Sequence, residues 1–147
     1  MNWKEYFSGL AEYVSRKSKD PSTKVGAIAV GPDNETLETG YNGLPRGVAD
    51  VQERLQRPEK YLWTAHAEEN LVATAARARL AGSTVYVTHL CCNACARMLI
   101  NAGVRKIFVG PGKTSMPEVQ FEVAMQMLKE AGVTVILDQD SKVECTK

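Results

Sequence analysis

Four side chains in the middle of the chain have the types and the spacing of a catalytic metal centre. His66 and Glu68 stand in the segment HAE, and Cys92 and Cys95 follow in the segment CNAC. One imidazole and two thiolates give Zn²⁺ three protein ligands and leave the fourth tetrahedral position open, as in catalytic zinc sites. A carboxylate that is not a ligand, here Glu68, can then move protons between an attacking water and a leaving group.

Two helix starts must bring these residues together. The sequence predicts His66 and Glu68 in the first turn of one helix, and Cys92 and Cys95 in the first turn of the next helix. Residues i and i+3 lie on one helix face, so the two thiols can reach a single ion. The positive end of a helix dipole also lowers the pKa of a cysteine and favours the thiolate that a metal requires.

A closed structural zinc site is the main alternative. CxxC pairs also occur in redox sites and zinc knuckles, and His89 or Cys91 could supply a fourth ligand. His89 is expected at the end of a strand, and neighbouring side chains at Cys91 and Cys92 diverge, so neither candidate is aimed at the same ion. A structural site would also have no use for Glu68. We therefore favour the catalytic interpretation.

Composition limits the chain to a few classes of protein. Its 147 residues suit one domain, and 44% hydrophobic with 24% charged residues is typical of a globular protein. The net charge of +1 gives no general attraction to nucleic acid or to an anionic membrane. No apolar run approaches a membrane span or a signal peptide, so we expect a cytoplasmic protein. Three of the four cysteines lie close together, and the fourth, Cys145, is near a tail in which disorder is expected from about residue 139.

Helices and strands alternate along the chain. Asn2 can cap a first amphipathic helix, whose apolar residues recur at helical spacing: Trp3, Tyr6, Phe7, Leu10, Tyr13 and Val14. The predicted strands are KVGAIAVG, TLETGYN, AGSTVYVTHL, VRKIFVG and VTVILD. The later predicted helices are AHAEENLVATAARARL, CNACARMLINAG and MPEVQFEVAMQMLKEAG. A long surface loop with one short helix is expected over GLPRGVADVQERLQRPEKYLW.

This order of elements predicts a three-layer α/β domain. The first two strands are joined by the turn PDNE, so they should form an antiparallel hairpin. The later strands are separated by helices, which implies crossover connections and largely parallel pairing.

The motifs resemble the deoxycytidylate (dCMP) deaminase family. The similarity runs from about residue 20 to residue 109 through DPSTKVGAIAV, TGYNGLPRGV, HAEENLVATAAR and GSTVYVTHLCCNACARMLINAGVRKIFV. It implies a cytidine-deaminase-like α/β/α sandwich with a five-stranded mixed sheet. It also implies Zn²⁺ on His66, Cys92 and Cys95, Glu68 as the proton shuttle, and hydrolysis of dCMP to dUMP and ammonia for thymidylate synthesis. Asn42 matches the family residue that holds the sugar.

Two positions depart from the family pattern. Cys91 stands where the family has Pro before the first metal-binding Cys, and HAEEN replaces HAELN. A cysteine frees φ and restores an N–H in the loop that enters the helix. We favour Cys91 as a small apolar filler over Cys91 as a ligand. The longer zinc-binding insertion of some family members is also missing before HAE, so one zinc per chain is expected.

The residues that recognise the substrate are harder to predict. Ser22, Lys24 and Arg46 lie nearest to the family's substrate elements and could contact a phosphate, although each could equally be a surface residue. Tyr61 and Trp63 could stack on the base or pack the loop against the core. Ala67, between His66 and Glu68, is a further candidate for contact with the substrate.

Three functions therefore remain open. The first is dCMP deamination, and the second is deamination of dCTP, CMP, 5-substituted dCMP or a base in nucleic acid. The third is a non-catalytic structural-zinc domain. Near-neutral charge weighs against long nucleic acid as the substrate. The resemblance further implies a homo-oligomer, regulation by dCTP and dTTP, and Mg²⁺ with those nucleotides.

Overall fold

A computed structural model describes residues 1–138 of the chain. Cys145 and the tail expected to be disordered lie outside the described residues. The strands are β1 (Gly26–Val30), β2 (Thr36–Tyr41), β3 (Thr84–His89), β4 (Lys106–Gly112) and β5 (Thr134–Leu137). The helices are α1 (Trp3–Ser15), α2 (Lys60–Trp63), α3 (Ala67–Thr74), α4 (Arg77–Leu80), α5 (Asn93–Asn101) and α6 (Glu118–Glu130), with a 3₁₀ turn at Gln52–Leu55.

The five strands form one mixed sheet in the order β2-β1-β3-β4-β5. β1 pairs antiparallel with both β2 and β3, whereas β3, β4 and β5 are parallel. The predicted hairpin and the predicted parallel crossovers are both confirmed. β3 is the central strand, and its carboxyl end leads directly into the turn that carries Cys92.

Alternating strand residues face two separate cores. Ala27, Ala29, Val85 and Val87 point to the face covered by α3, α5 and α6. On the other face α1 supplies Phe7, which packs with buried residues of four strands: Ile28, Val30, Tyr86, Phe108 and Ile136. A sheet with both faces covered in this way is the predicted α/β/α sandwich.

The first helix is capped as predicted but buries a narrower face. Asn2 accepts a hydrogen bond from the Glu5 N–H at 2.8 Å, and Glu5 accepts one from the Asn2 N–H at 3.0 Å. Trp3, Tyr6 and Tyr13 are exposed, although their spacing placed them in the apolar stripe. The predicted apolar stripe was too wide, because the helix buries Phe7 and Ala11 against the sheet and leaves the side chains on either side of them in solvent.

The segment that begins at His66 is not one continuous helix, contrary to the prediction. α3 ends at Thr74, Ala75 and Ala76 are extended, and α4 follows as one short turn. Ala75 and Leu80 are fully buried in the core. Tertiary packing of these two side chains therefore overrides the high helix propensity of the segment. The long loop likewise holds two short helical turns, the 3₁₀ turn and α2, where one was expected.

Among residues 1–138, none of the helices has both the length and the hydropathy that a bilayer span requires.

Replacement by alanine should have opposite effects on stability at two glycines, Gly26 in β1 and Gly9 in α1. A Cβ on Gly26 would lie 2.1 Å from the Ala11 carbonyl oxygen, whereas a Cβ on Gly9 would meet nothing within 4 Å. We expect Gly26→Ala to lower the free energy of unfolding by about 3 kcal/mol. Gly9→Ala should raise it by about 0.5–1 kcal/mol, because alanine is the better helix former. Urea unfolding checks both, and an unchanged midpoint for Gly26→Ala would contradict the packing described.

Candidate active site

The side chains of His66, Cys92 and Cys95 converge on one point. Their ligand atoms all lie within 4.8 Å of one another. His66 Nδ1 is 3.3 Å from Cys95 Sγ and 3.5 Å from Cys92 Sγ. A tetrahedral zinc ion with ordinary Zn–N and Zn–S bonds would separate such atoms by about 3.6 Å. The donor set therefore fits Zn²⁺ in both chemistry and spacing.

Two helix starts produce this convergence, as the spacing predicted. His66 is the N-cap of α3, and Cys92 is the N-cap of α5, so both stand one position before the first turn. Cys95 follows within the first turn of α5, where its N–H lies 3.5 Å from Cys92 Sγ. Glu69 closes the start of α3 by accepting a hydrogen bond from the His66 N–H at 3.0 Å.

Mutual hydrogen bonds set the protonation of the three ligands. A hydrogen bond from the Cys95 thiol, opposed by burial and supported by His66, lowers the pKa of Cys92 to about 4. The same Cys92 sulfur raises the pKa of His66 to about 9. Donation to Cys92 and burial together raise the pKa of Cys95. A metal that binds here must displace the protons that these ligands carry.

Glu68 is a buried carboxyl group beside this cluster. Its side chain is only 4% exposed and lies in the first turn of α3, two residues after His66. Burial raises its pKa to about 7. A carboxyl group with a pKa near neutrality can both accept and donate a proton under physiological conditions.

His89 and Cys91 do not join the cluster. Within residues 1–138, the one group of three or more side chains with metal-ligand spacing is His66, Cys92 and Cys95. Cys91 is 2% exposed and packs in the core on the α3 and α5 side of the sheet. Burial raises the pKa of its thiol. A closed four-ligand structural site therefore has no support among the described residues.

A pocket opens over the cluster and Glu68. Its lining combines the site with residues of the 43–64 loop, of the turn before β1 and of the segment after β4. The lining residues are Asp20, Thr23, Val25, Asn42, Arg57, Lys60, Tyr61, Thr64, His66, Ala67, Glu68, His89, Leu90, Cys92, Thr114, Ser115, Met116 and Phe121.

Only some of the predicted substrate residues reach this pocket. Asn42, Tyr61 and Ala67 line it, and Ser22, Lys24, Arg46 and Trp63 do not. The Asn42 amide donates to the Thr23 carbonyl oxygen and accepts from the Val25 N–H, both at 2.9 Å, which fixes its orientation.

Trp63 lies within the loop away from the pocket. Its indole N–H donates to Glu59, and the Arg54 guanidinium sits 4.0 Å from the ring centroid. Trp63 is 38% exposed and makes these contacts within its own loop, not with the core.

A buried ion pair at the pocket edge was not predicted. Lys60 donates to both carboxylate oxygens of Asp20, at 2.9 and 3.2 Å, and to Ser22 Oγ at 2.9 Å. Burial acts to raise the pKa of Asp20, but hydrogen bonds from Thr23, Lys60 and Ser22 outweigh burial and lower it. Asp20 was overlooked because DPST reads as a simple turn, and Lys60 because it stands in a polar loop segment.

Other lining residues were also missed. Arg57 donates through Nε to the Tyr61 hydroxyl at 2.8 Å. Thr114, Met116 and Phe121 come from the segment after β4 and from α6, which carried no motif. Only the fold brings these residues to the site.

Fold and site together define a zinc-dependent deaminase of the cytidine-deaminase type, a hydrolase. The family model described as "Cytidine and deoxycytidylate deaminase zinc-binding region" matches residues 1–111. The chain belongs to this cytidine and deoxycytidylate deaminase family.

Individual relatives cover almost the whole chain. A protein of Aliivibrio fischeri named "Uncharacterized deaminase in luxG 3'region" is 39% identical over 90% of this chain and 91% of its own length. Mouse deoxycytidylate deaminase is 34% identical over 91% of this chain and 78% of its own length. The crystal structure of dCMP deaminase from cyanophage S-TIM5 in complex with dCMP and dUMP is 26% identical, with a TM-score of 0.70 over 91% of this chain and 95% of that one.

The ligand geometry predicts one zinc ion per chain, which each ligand substitution should release. Cys92→Ser and Cys95→Ser should lose zinc, and Cys91→Ala should retain it. Because metal binding displaces protons from these ligands, zinc affinity should fall as the pH is lowered from 8 to 6. Chelator competition checks both statements. Full zinc in Cys95→Ser, or an affinity independent of pH, would contradict this ligand set.

Proposed function

We propose that this protein hydrolyses dCMP to dUMP and ammonia. The observation that carries the proposal is Glu68, a carboxyl group 4% exposed in a pocket that two of the zinc-ligand candidates also line. A structural zinc site would not require a buried carboxyl group at this point. The deoxycytidylate deaminases among the relatives, and the cyanophage structure with dCMP and dUMP, support the choice of substrate.

The metal site and the acid–base group have separate roles in this reaction. His66, Cys92 and Cys95 would hold Zn²⁺. When bound there, the ion supplies the Lewis acidity that makes water nucleophilic near neutral pH. Glu68 accepts a proton from the attacking water and passes it to the ring nitrogen N3, and it then passes the remaining proton of the added hydroxyl to the leaving amine. A C4–O bond forms and the C4–N bond breaks, so dCMP and water become dUMP and ammonia.

Residues that line the pocket would orient the nucleotide. We assign the sugar to Asn42, whose amide is held by the backbone of Thr23 and Val25 yet keeps one N–H and one lone pair. Tyr61 and Ala67 also line the pocket and remain candidates for contact with the base.

Arg57 is the best-placed partner for the phosphate. Of the described Lys and Arg side chains, Arg57 and Lys60 line the pocket. All three N–H donors of Lys60 are taken up by Asp20 and Ser22. Arg57 uses only Nε, which donates to Tyr61, so its two terminal nitrogens stay available for a bidentate contact with phosphate.

Several finer properties belong to the same proposal. We propose that residues 1–147 form one domain, that the enzyme is a cytoplasmic homo-oligomer, and that dCTP and dTTP, with Mg²⁺, regulate it. The homo-oligomer and the nucleotide effectors are what the resemblance to the dCMP deaminases implies, whereas the single domain and the cytoplasmic location rest on the length and composition of the chain. Assays with dCTP, CMP, 5-substituted dCMP and single-stranded DNA would define the range of substrates.

Glu68→Gln tests the catalytic role. Loss of the carboxyl group removes the proton carrier but no metal ligand, so we expect kcat to fall by roughly 10³-fold while zinc stays bound. The absorbance change from cytosine to uracil measures turnover. Glu122→Gln, on the exposed face of α6, is the matched control and should be fully active. A zinc-loaded Glu68→Gln enzyme with unchanged kcat would show that another group moves the protons.

Arg57→Ala tests the phosphate assignment. Loss of a charge-assisted hydrogen bond should raise KM for dCMP by roughly 10- to 100-fold and leave the weaker reaction with deoxycytidine unchanged. Lys24→Ala and Arg46→Ala, the candidates from sequence, are measured in parallel. If KM for dCMP rises in one of these two variants and not in Arg57→Ala, the assignment is wrong.

A further inference from the structure

His89 lines the pocket but has no role in the chemistry described above. It ends β3, three residues before Cys92, and it does not belong to the metal cluster. Its register partner on β4 is Gly112. A Cβ on Gly112 would lie 2.4–2.6 Å from three atoms of the His89 ring, so the imidazole packs directly against the Gly112 backbone. This contact fixes where the ring lies.

A hydrogen-bond chain ends at Nδ1 of His89. The Gly26 N–H donates to Thr88 Oγ1 at 3.1 Å, and Thr88 Oγ1 lies 2.7 Å from His89 Nδ1. The Thr88 hydroxyl can donate its hydrogen to Nδ1 while its oxygen accepts from Gly26. Burial lowers the pKa of His89, which keeps the ring neutral. A neutral ring that accepts at Nδ1 carries its proton on Nε2.

A second polar group of the same pocket lining comes from the segment after β4. Thr114 is two residues beyond Gly112, and it lines the same pocket. Its Oγ1 is buried and has no hydrogen-bond partner among residues 1–138. A buried hydroxyl without a partner is unfavourable, so a ligand that bonds it gains affinity.

We propose that His89 and Thr114 form a donor pair that holds an oxygen atom of the bound nucleotide. An Nε2–H and a hydroxyl hydrogen both donate, so the group that they complement is an acceptor. A phosphate oxygen and a pyrimidine carbonyl oxygen share this chemistry, whereas the cytosine amine does not. The inference rests on the proposed function for the identity of the ligand.

Binding of dUMP, the product of the proposed reaction, measures recognition of the nucleotide separately from catalysis. His89→Leu removes both ring nitrogens, His89→Gln keeps a side-chain donor, and Thr114→Val removes only the hydroxyl. We expect His89→Leu and Thr114→Val to weaken binding of dUMP by about three- to tenfold, and His89→Gln to retain most of the affinity. Thr39→Val, an exposed position of β2 away from the pocket, is the control. Zinc content is measured in every variant.

Two ligands distinguish the sources of the oxygen. Isothermal titration calorimetry with dUMP and with deoxyuridine is done on each zinc-loaded variant. Weaker binding of dUMP alone assigns the contact to the phosphate, and weaker binding of both assigns it to the pyrimidine carbonyl. Unchanged binding of both ligands in His89→Leu and Thr114→Val would overturn the proposal. Equal losses in His89→Gln and His89→Leu would also overturn it, because they would indicate packing alone.

An independent measurement does not require a variant to fold. The chain has only two histidines, His66 and His89, so ¹⁵N shifts of the imidazoles can be assigned directly. We expect His89 to be protonated at Nε2 and its Nε2 shift to move when dUMP is added. The other tautomer, or no response to dUMP, would contradict the inference. Turnover of dCMP is measured on the same samples, so failure of the deaminase proposal and failure of the His89 assignment remain distinguishable.

Discussion

The structure depends on the approach of two helix starts at one end of a central strand. His66 caps α3 and Cys92 caps α5, and their ligand atoms come within 3.5 Å because both helices pack on the same face of the sheet. A small rotation of either helix would separate the nitrogen from the sulfurs. The small side chains where these helices meet the strands, such as Ala27, Ala29, Ala67 and Ala96, allow the close packing. The fold thus brings the three ligand atoms to one point.

The pocket holds two kinds of polar group, and their hydrogen-bond partners tell them apart. Lys60 and Asp20 are almost fully buried and bond each other, so their opposite charges compensate one another in the pocket wall. Through Thr23 this pair also supports the amide of Asn42. Arg57 and Thr114 instead keep donors without partners among the described residues. The paired groups hold the pocket wall in place, whereas the unpaired donors of Arg57 and Thr114 are available to a ligand.

Local sequence was sufficient for the sheet, the capped first helix and the order of the site residues. HAE and CxxC identify ligands because their spacing is set within single helix turns, and alternating apolar residues identify strands for the same local reason. The break at Ala75 and the exposure of Trp3 could not be predicted, since both depend on which residues the distant parts of the fold cover. Substrate residues were the weakest prediction. Ser22, Lys24 and Arg46 were chosen by nearness in sequence, whereas Arg57 and Thr114 reach the pocket through the fold.

The position of Cys91 shows how a departure from a family pattern can leave the chemistry intact. A proline there would fix φ before Cys92, and cysteine does not. The structure restrains this turn by other means: Cys91 is buried in the core, and the next residue caps α5. Burial also raises the pKa of the Cys91 thiol, which opposes formation of the thiolate that a metal or an electrophile would require. A buried cysteine at this position thus adds packing, and it does not belong to the group of side chains with metal-ligand spacing, His66, Cys92 and Cys95.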